Sequence, residues 1–235
     1  MISIIIPTFR EEKDIADSIK AIKNGLTIPH EIIVSDGGSD DRTVEIAKQY
    51  TNKVIVGKSG VSRQRNAGAR EARGEFLVFI DCGSAIGNPD TFFKRALNDF
   101  NDPGVVGVSA AQRVFPESET YADWIIYGFF SYGYRLLNNV LHIGTASGKL
   151  QMVRRSAYDA TTGFREDLIA GEDTEFFHRL SKIGRTDFDP HLVVYHANRR
   201  ARQIGWPRLL LSWTLNTMWL ILFNKSFSKE WKHIR

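Results

Sequence analysis

An α/β fold, with a mainly parallel sheet and helices on both faces, is what this 235-residue sequence predicts. Short apolar runs alternate with helical patterns through the first half, the order that builds parallel sheets. The run FLVFI at 76–80 is apolar at every position, as strands covered on both faces are. Polar loops bearing acids follow residues 6, 35 and 80. In a parallel sheet those loops gather at the carboxyl edge, where ligands bind.

Taken in order, residues 2–6 read as a buried strand ended by Pro7. A helix over 11–24 places Ile15, Ile19 and Ile22 on one face, with acids early in it where the helix dipole favours them. Residues 31–35 form a second strand, an Asp-Gly-Gly turn follows, and a short helix covers 43–50. Strand 53–56, helix 62–73 and strand 76–80 continue the alternation. The second half is less regular: strands at 105–110, 149–154 and 192–195, an aromatic-rich helix at 121–141, and a helix at 172–183. Composition changes at 206, where a nearly all-apolar run gives way to basic residues. The expected organisation is one domain over 1–205, with halves 1–110 and 111–205, and a helical segment over 206–235.

With 43% hydrophobic and 25% charged residues, the composition is that of an ordinary globular protein. A formal charge of +4 fits a nucleotide, a phospholipid surface or nucleic acid and selects none of them. No zinc-finger spacing, aromatic RNA-binding strand or basic helix is present, so a nucleic-acid partner is not expected. The single cysteine, Cys82, cannot form an internal disulfide, and the first residues lack a basic n-region. The expectation is a cytoplasmic protein.

Several segments carry chemistry. Asp36 in VSDGGSDDRT can accept from an imide or amide N–H of a base, while the same segment also reads as a turn that caps the next helix. Arg63, Arg65 and Arg70 suit anionic oxygens or form a solvated helix face. Gly57-Lys58-Ser59 resembles the end of a phosphate-binding loop, but Asn52 stands where that loop needs glycine. Asp81 follows FLVFI directly and so reaches the ligand edge. Glu172 and Asp173 open a helix, where acids are common caps.

Together the blocks IIIPTFREE, VSDGGSDDRT, RQRNAGAREARGEFLVFID and GEDTEFFHRLSKIG resemble family 2 glycosyltransferases, inverting enzymes of GT-A fold. Their five motifs appear here in family order over roughly the first two hundred residues. The resemblance implies that Pro7, Thr8, Glu11, Asp36 and Gly37 border the nucleoside of a nucleotide-diphosphate sugar, with Arg65 and Asn66 on the ribose or diphosphate. It implies Asp173 as the general base, supported by Glu172, and inversion at the anomeric carbon. It also implies Mn²⁺ or Mg²⁺ at Asp81, with His196 as a further ligand or a structural histidine. This sequence departs from the family's D-x-D pair, because Gly83 replaces the second carboxylate. The implied function is a hexosyltransferase using a UDP-sugar, with GDP-mannose next; the alternative is a non-catalytic nucleotide-sugar-binding protein.

On the acceptor side, the aromatic density of 121–134 and the uncharged run 209–223 point to peripheral membrane contact or a homo-oligomer interface. The run is short for a span. Basic flanks at Arg199, Arg200, Arg202 and Arg208, with Lys225, Lys229 and Lys232 beyond, suit anionic lipid. A glycan or lipid-linked acceptor would explain such a surface.

Overall fold

The computed structural model describes residues 1–230; Lys232 lies outside them. Eight strands form one mixed sheet: β1 (Ile2–Thr8), β2 (His30–Asp36), β3 (Val54–Val56), β4 (Phe76–Ile80), β5 (Ala85–Ile86), β6 (Val105–Val114), β7 (Leu150–Arg154) and β8 (Arg185–His196), in spatial order β3-β2-β1-β4-β7-β6-β8-β5. Strands β1 to β4 run parallel to one another. β7 runs antiparallel between β4 and β6, and β6 is parallel to β8.

The helices are α1 (Ile15–Lys23), α2 (Thr43–Ala47), α3 (Val61–Glu71), α4 (Pro89–Asp99), α5 (Tyr121–Arg135), α6 (Arg155–Ala160), α7 (Glu172–Leu180), α8 (Arg199–Ile204) and α9 (Trp206–Phe223). A π-helical turn, Leu136–Val140, extends α5. Strand side chains alternate between two cores, as a pleated sheet requires. Ile2, Ile4 and Ile6 meet Ile15 and Ile19 of α1 and Phe93 of α4 on one face. Ile5, Leu77 and Phe79 meet Phe176 and Phe177 of α7 on the other. The prediction of helices on both faces is met.

Several boundaries differ from expectation, among them the ends of β1, α1 and β8. β1 continues through Pro7 to Thr8, because its pairing with β4 ends at Ile5 and a missing N–H beyond that point breaks no bond on that side. α1 begins at Ile15, since residues 10–12 are held by the β2–α2 loop: the Arg10, Glu11 and Glu12 N–H groups donate to Ser39 Oγ, Thr43 Oγ1 and Asp41. β8 is a twelve-residue strand rather than a short one, with its register shifted between Ala110 and Ala111 of β6.

The tail packs onto the domain. Trp206 and Trp213 of α9 lie edge-on to Tyr127 and Phe130 of α5, with ring centres 5.4 and 5.6 Å apart. Beyond α9, Ser226 Oγ donates to the Ala170 carbonyl and accepts from the Ile169 and Ala170 N–H groups. Near its start, buried Asp123 accepts from Asn198 and the Trp206 indole at 2.8 and 2.9 Å and pairs with Arg202. Burial raises the Asp123 carboxyl's pKa, but Arg202, then Thr120 and Trp206, outweigh it and hold the group well below the ordinary range. No helix among the described residues is long and apolar enough to cross a membrane.

Candidate functional site

The parallel strands deliver Thr8, Asp36 and Asp81 to one edge of the sheet, as the sequence predicts. His196, the last residue of β8, reaches the same edge. Because β7 is antiparallel and Leu150 pairs with Ile80, its leading residue Lys149 arrives there too.

On the β2 side, Asp36 is fully buried and accepts four hydrogen bonds. Thr8 Oγ1 and Ser39 Oγ donate to Oδ1 at 3.0 and 2.6 Å, and the Gly38 and Ser39 N–H groups donate to Oδ2 at 2.9 and 2.7 Å. A carboxylate offers about four acceptor positions, so Asp36 as placed holds the loop, and contact with a base would require one of these bonds to open. Gln64 of α3 ties the loop further, donating to the Thr8 and Ser35 carbonyls. A cleft of about 180 Å³ opens beside it, lined by Asp36, Gly57, Lys58, Arg63, Gln64 and Arg70 among others. A larger depression of about 310 Å³, lined by Glu75, Arg154 and Arg155, includes none of the predicted site residues.

Asn66 is locked away from that cleft. Its amide donates to the Phe164 carbonyl and Glu166, and its oxygen accepts from Phe164 N–H and the Tyr158 hydroxyl. It joins α3 to the 164–166 segment.

The charged centre is built on Arg65, which is 1% exposed. Its guanidinium reaches Asp173 Oδ1 at 2.5 Å, Asp81 Oδ1 at 3.2 Å, Glu172 Oε1 at 3.3 Å and the Gly148 carbonyl at 2.9 Å. The structure thus unites Arg65, Asp81, Glu172 and Asp173, which sequence separates by up to 108 positions. Burial disfavours the Arg65 charge, but Asp173, Asp81 and Glu172 more than restore it, so its pKa rises. For Asp81, burial is outweighed by Lys149 and then Arg65, which hold the carboxyl below its ordinary range. Glu172 goes the other way: burial first and the Asp173 charge second push it up to about 8. Arg65 and Lys149 thus face Asp81, Asp173 and a Glu172 whose charge burial disfavours.

Asp173 Oδ1 takes both the Arg65 bond and a 2.7 Å bond from Gln151 Nε2 of β7. Oδ2 lies against Gly148, where a Cβ would stand only 2.6 Å away, so the position demands glycine. Lys149 Nζ donates to Asp81 Oδ2 at 3.1 Å. His196 is 6% exposed; its Nδ1 accepts from Asn198 N–H at 3.1 Å and its Nε2 is buried without a partner. Burial lowers its pKa to about 3, leaving the ring neutral. Lys149, Gln151 and Gln64 were not singled out from sequence; the only signal for Lys149 and Gln151 was their two-residue spacing at a strand start.

The profile of glycosyl transferase family 2 matches residues 3–162. This chain belongs to that family. Among family relatives, it is 29% identical over 170 residues to the O-antigen chain rhamnosyltransferase WbaN of Salmonella anatum, covering 66% of this chain and 52% of that protein. This chain therefore spans about half the relative's length. Of solved structures, it resembles the Pyrobaculum calidifontis mannosyltransferase PcManGT in complex with GDP-Man and Mn²⁺, with a TM-score of 0.69 and 21% identity over 83% of this chain and 56% of that one. TarS 1–349 of S. aureus, in complex with UDP-GlcNAc, aligns with a TM-score of 0.63 and 21% identity over 83% and 57% of the two chains. These likenesses establish the GT-A fold.

The metal bound in PcManGT can be tested against the residues here. Both Asp81 oxygens already meet cations, and among the described residues no group of three His, Cys, Asp or Glu is arranged to hold a metal. The Asn198 N–H donates to His196 Nδ1, which assigns the ring proton to Nε2 and leaves that nitrogen no lone pair for a metal. The residues present do not fit a divalent cation.

Proposed function

We propose that this family 2 glycosyltransferase moves a hexose from a nucleotide-diphosphate sugar, with a UDP-sugar favoured and GDP-mannose next, to a hydroxyl of a glycan or lipid-linked acceptor, with inversion. The carrying observation is Asp173, whose Oδ1 is fixed by Arg65 and Gln151 while Oδ2 is left to act. In this reading Oδ2 takes the acceptor hydroxyl's proton as that oxygen bonds to the anomeric carbon. The bond from that carbon to the diphosphate oxygen breaks, and its electron pair leaves with the diphosphate. Pro7, Thr8, Glu11 and Gly37 are assigned to the nucleoside on the family resemblance, with Asp36, which lines the 180 Å³ cleft, shaping the loop. Glu172, protonated near neutrality, adds no competing charge beside the base. A divalent cation at Asp81 and His196, expected from the resemblance, enters no step.

The reading also places a membrane surface against α5 and α9. Phe129, Tyr132, Val140 and Leu141 are exposed on α5 and its π-helical turn, as are Leu211, Ile221 and Leu222 on α9. Arg208, Lys225 and Lys229 flank the second group. Exposed apolar surface rimmed by basic residues fits in-plane contact with anionic lipid, at a cytoplasmic face.

Calorimetric titration with UDP, GDP and CMP tests the donor reading: one diphosphate should bind, and the corresponding sugar donor should release it only when acceptor is present. Absence of binding by all three would overturn it; binding without turnover across acceptors would mark a non-catalytic sugar-nucleotide binder. For the surface, co-sedimentation with phosphatidylglycerol vesicles should fall when Ile221 and Leu222 are changed to Ser. A concentration-dependent dimer with no vesicle binding would assign that face to a second copy instead.

A further inference from the structure

We propose that this chain meets the departing diphosphate with its own Lys149 ammonium and His196 Nε2–H in place of a divalent cation, an inference that rests on the donor reading above. Three features of the chain carry it.

The first is the backbone at Gly83, where relatives with a D-x-D pair place the second carboxylate. Its φ of +76° lies in the left-handed region, and a Cβ there would face Arg199 Nη2 at 3.7 Å. An aspartate at 83 would be strained in this turn, so the loop is shaped for one carboxylate. Arg199 is itself paired to Asp14 at 2.6 Å, which completes that wall of the site.

The second is the ion pair between Lys149 and Asp81. Lys149 Nζ is 3.1 Å from Asp81 Oδ2, and 32% of its side chain remains exposed. A cation ligated by Asp81 would stand against this ammonium. Even an ion that draws most of its ligands from water and phosphate needs a free carboxylate oxygen, and both oxygens of Asp81 are taken by Lys149 and Arg65. One hydrogen bond to Asp81 leaves the ammonium with further donors. A lysine is a natural point charge for phosphate oxygens.

The third is the orphaned proton on His196. The ring is buried within electrostatic reach of Lys149 and Asp81, and its Nε2 has no partner. A buried donor without an acceptor costs free energy, and a diphosphate oxygen would satisfy it. The Ser84 hydroxyl, in the same turn as Asp81, is likewise buried and unpartnered. As the glycosidic bond breaks and charge gathers on the diphosphate, Lys149 and His196 stabilise that charge where it develops.

The test compares UDP with UMP, and GDP with GMP, by calorimetry in excess EDTA and in Mn²⁺, on wild-type, Lys149→Met and Lys149→Arg proteins. The wild-type protein should bind its diphosphate with equal affinity in EDTA and Mn²⁺, to within about twofold. Lys149→Met should lose roughly tenfold or more in diphosphate affinity, as a lost charged hydrogen bond does. It should keep its monophosphate affinity, which also shows that the variant is folded, and Lys149→Arg should restore most of the loss. Diphosphate binding that vanishes in EDTA, returns with Mn²⁺ and ignores Lys149→Met would overturn the inference while leaving the donor reading intact. No nucleotide binding under either condition would overturn both.

Discussion

Two regions at the same sheet edge solve the problem of burying a carboxylate in opposite ways. Asp36 is surrounded by neutral donors, two hydroxyls and two backbone N–H groups, all within four residues or on the adjacent strand. Asp173 and Asp81 instead share a buried guanidinium, and their remaining partners, Gln151 and Lys149, come from the β7 segment. The first network is closed and, as placed, holds shape. The second pairs opposite charges yet keeps an oxygen of Asp173, a proton of His196 and part of Lys149 uncommitted. Ligand chemistry belongs where groups are paired but not saturated.

The sharpest way to break this contrast is Asp173→Asn. It keeps the size and the Arg65 contact but removes the base, and transfer should drop by roughly 10²- to 10⁴-fold with nucleotide affinity unchanged. A steady-state assay beside calorimetry reads both; near-wild-type turnover would remove Asp173 from the role.

Arg65→Met probes the same region through stability. It leaves the part-buried Asp81 with Lys149 alone and the part-buried Asp173 with Gln151 alone, and breaking a buried arrangement of charges costs about 3–5 kcal/mol. Denaturant unfolding should show that loss, and it should shrink in acid as Asp81, which Arg65 otherwise helps to hold below its ordinary range, takes a proton.

Asp36→Asn probes the closed network. An amide oxygen cannot accept all four bonds, and the amide N–H₂ would face other donors, so about 1–3 kcal/mol of stability should be lost. The same unfolding measurement reads this cost. A cost equal to that of Arg65→Met would erase the distinction between the regions.

The smallest effect concerns Glu172. Burial and the neighbouring Asp173 charge raise its folded pKa above the ordinary glutamate value, so in that window the folded protein keeps a proton that the unfolded chain has lost. Its contribution to stability therefore falls as pH rises through that window. Glu172→Gln should flatten this decline and make the protein slightly more stable at pH 8, read as melting temperature against pH. An unchanged slope would show that Glu172 is ionised throughout.

Much of this was legible in the residues. Buried strands 2–6, 31–35 and 76–80 announced themselves by short apolar runs, unbroken only in 76–80, and parallel connections put Asp36 and Asp81 on one edge without any knowledge of contacts. The GED turn was also visible, although its meaning depended on a resemblance rather than on composition. What stayed hidden was set by pairing across the sheet. A strand's direction is not written in its own residues, so β7 could not be seen to run backwards between β4 and β6. The Lys149–Asp81 and Gln151–Asp173 contacts were therefore invisible. Asn66 misled for a related reason: a motif position does not reveal that a side chain faces Phe164 and Tyr158.

The direction of β7 has one more consequence. Lys149 and Gln151 are two positions apart and so share a face of the strand, one meeting the acid of β4 and the other the acid of α7. Sliding β7 by one residue against Ile80 would turn both side chains to the opposite core at once. A single inserted or deleted residue in this five-residue strand would thus disarm the leaving-group side and the proton-accepting side together, while leaving every charged residue in the sequence.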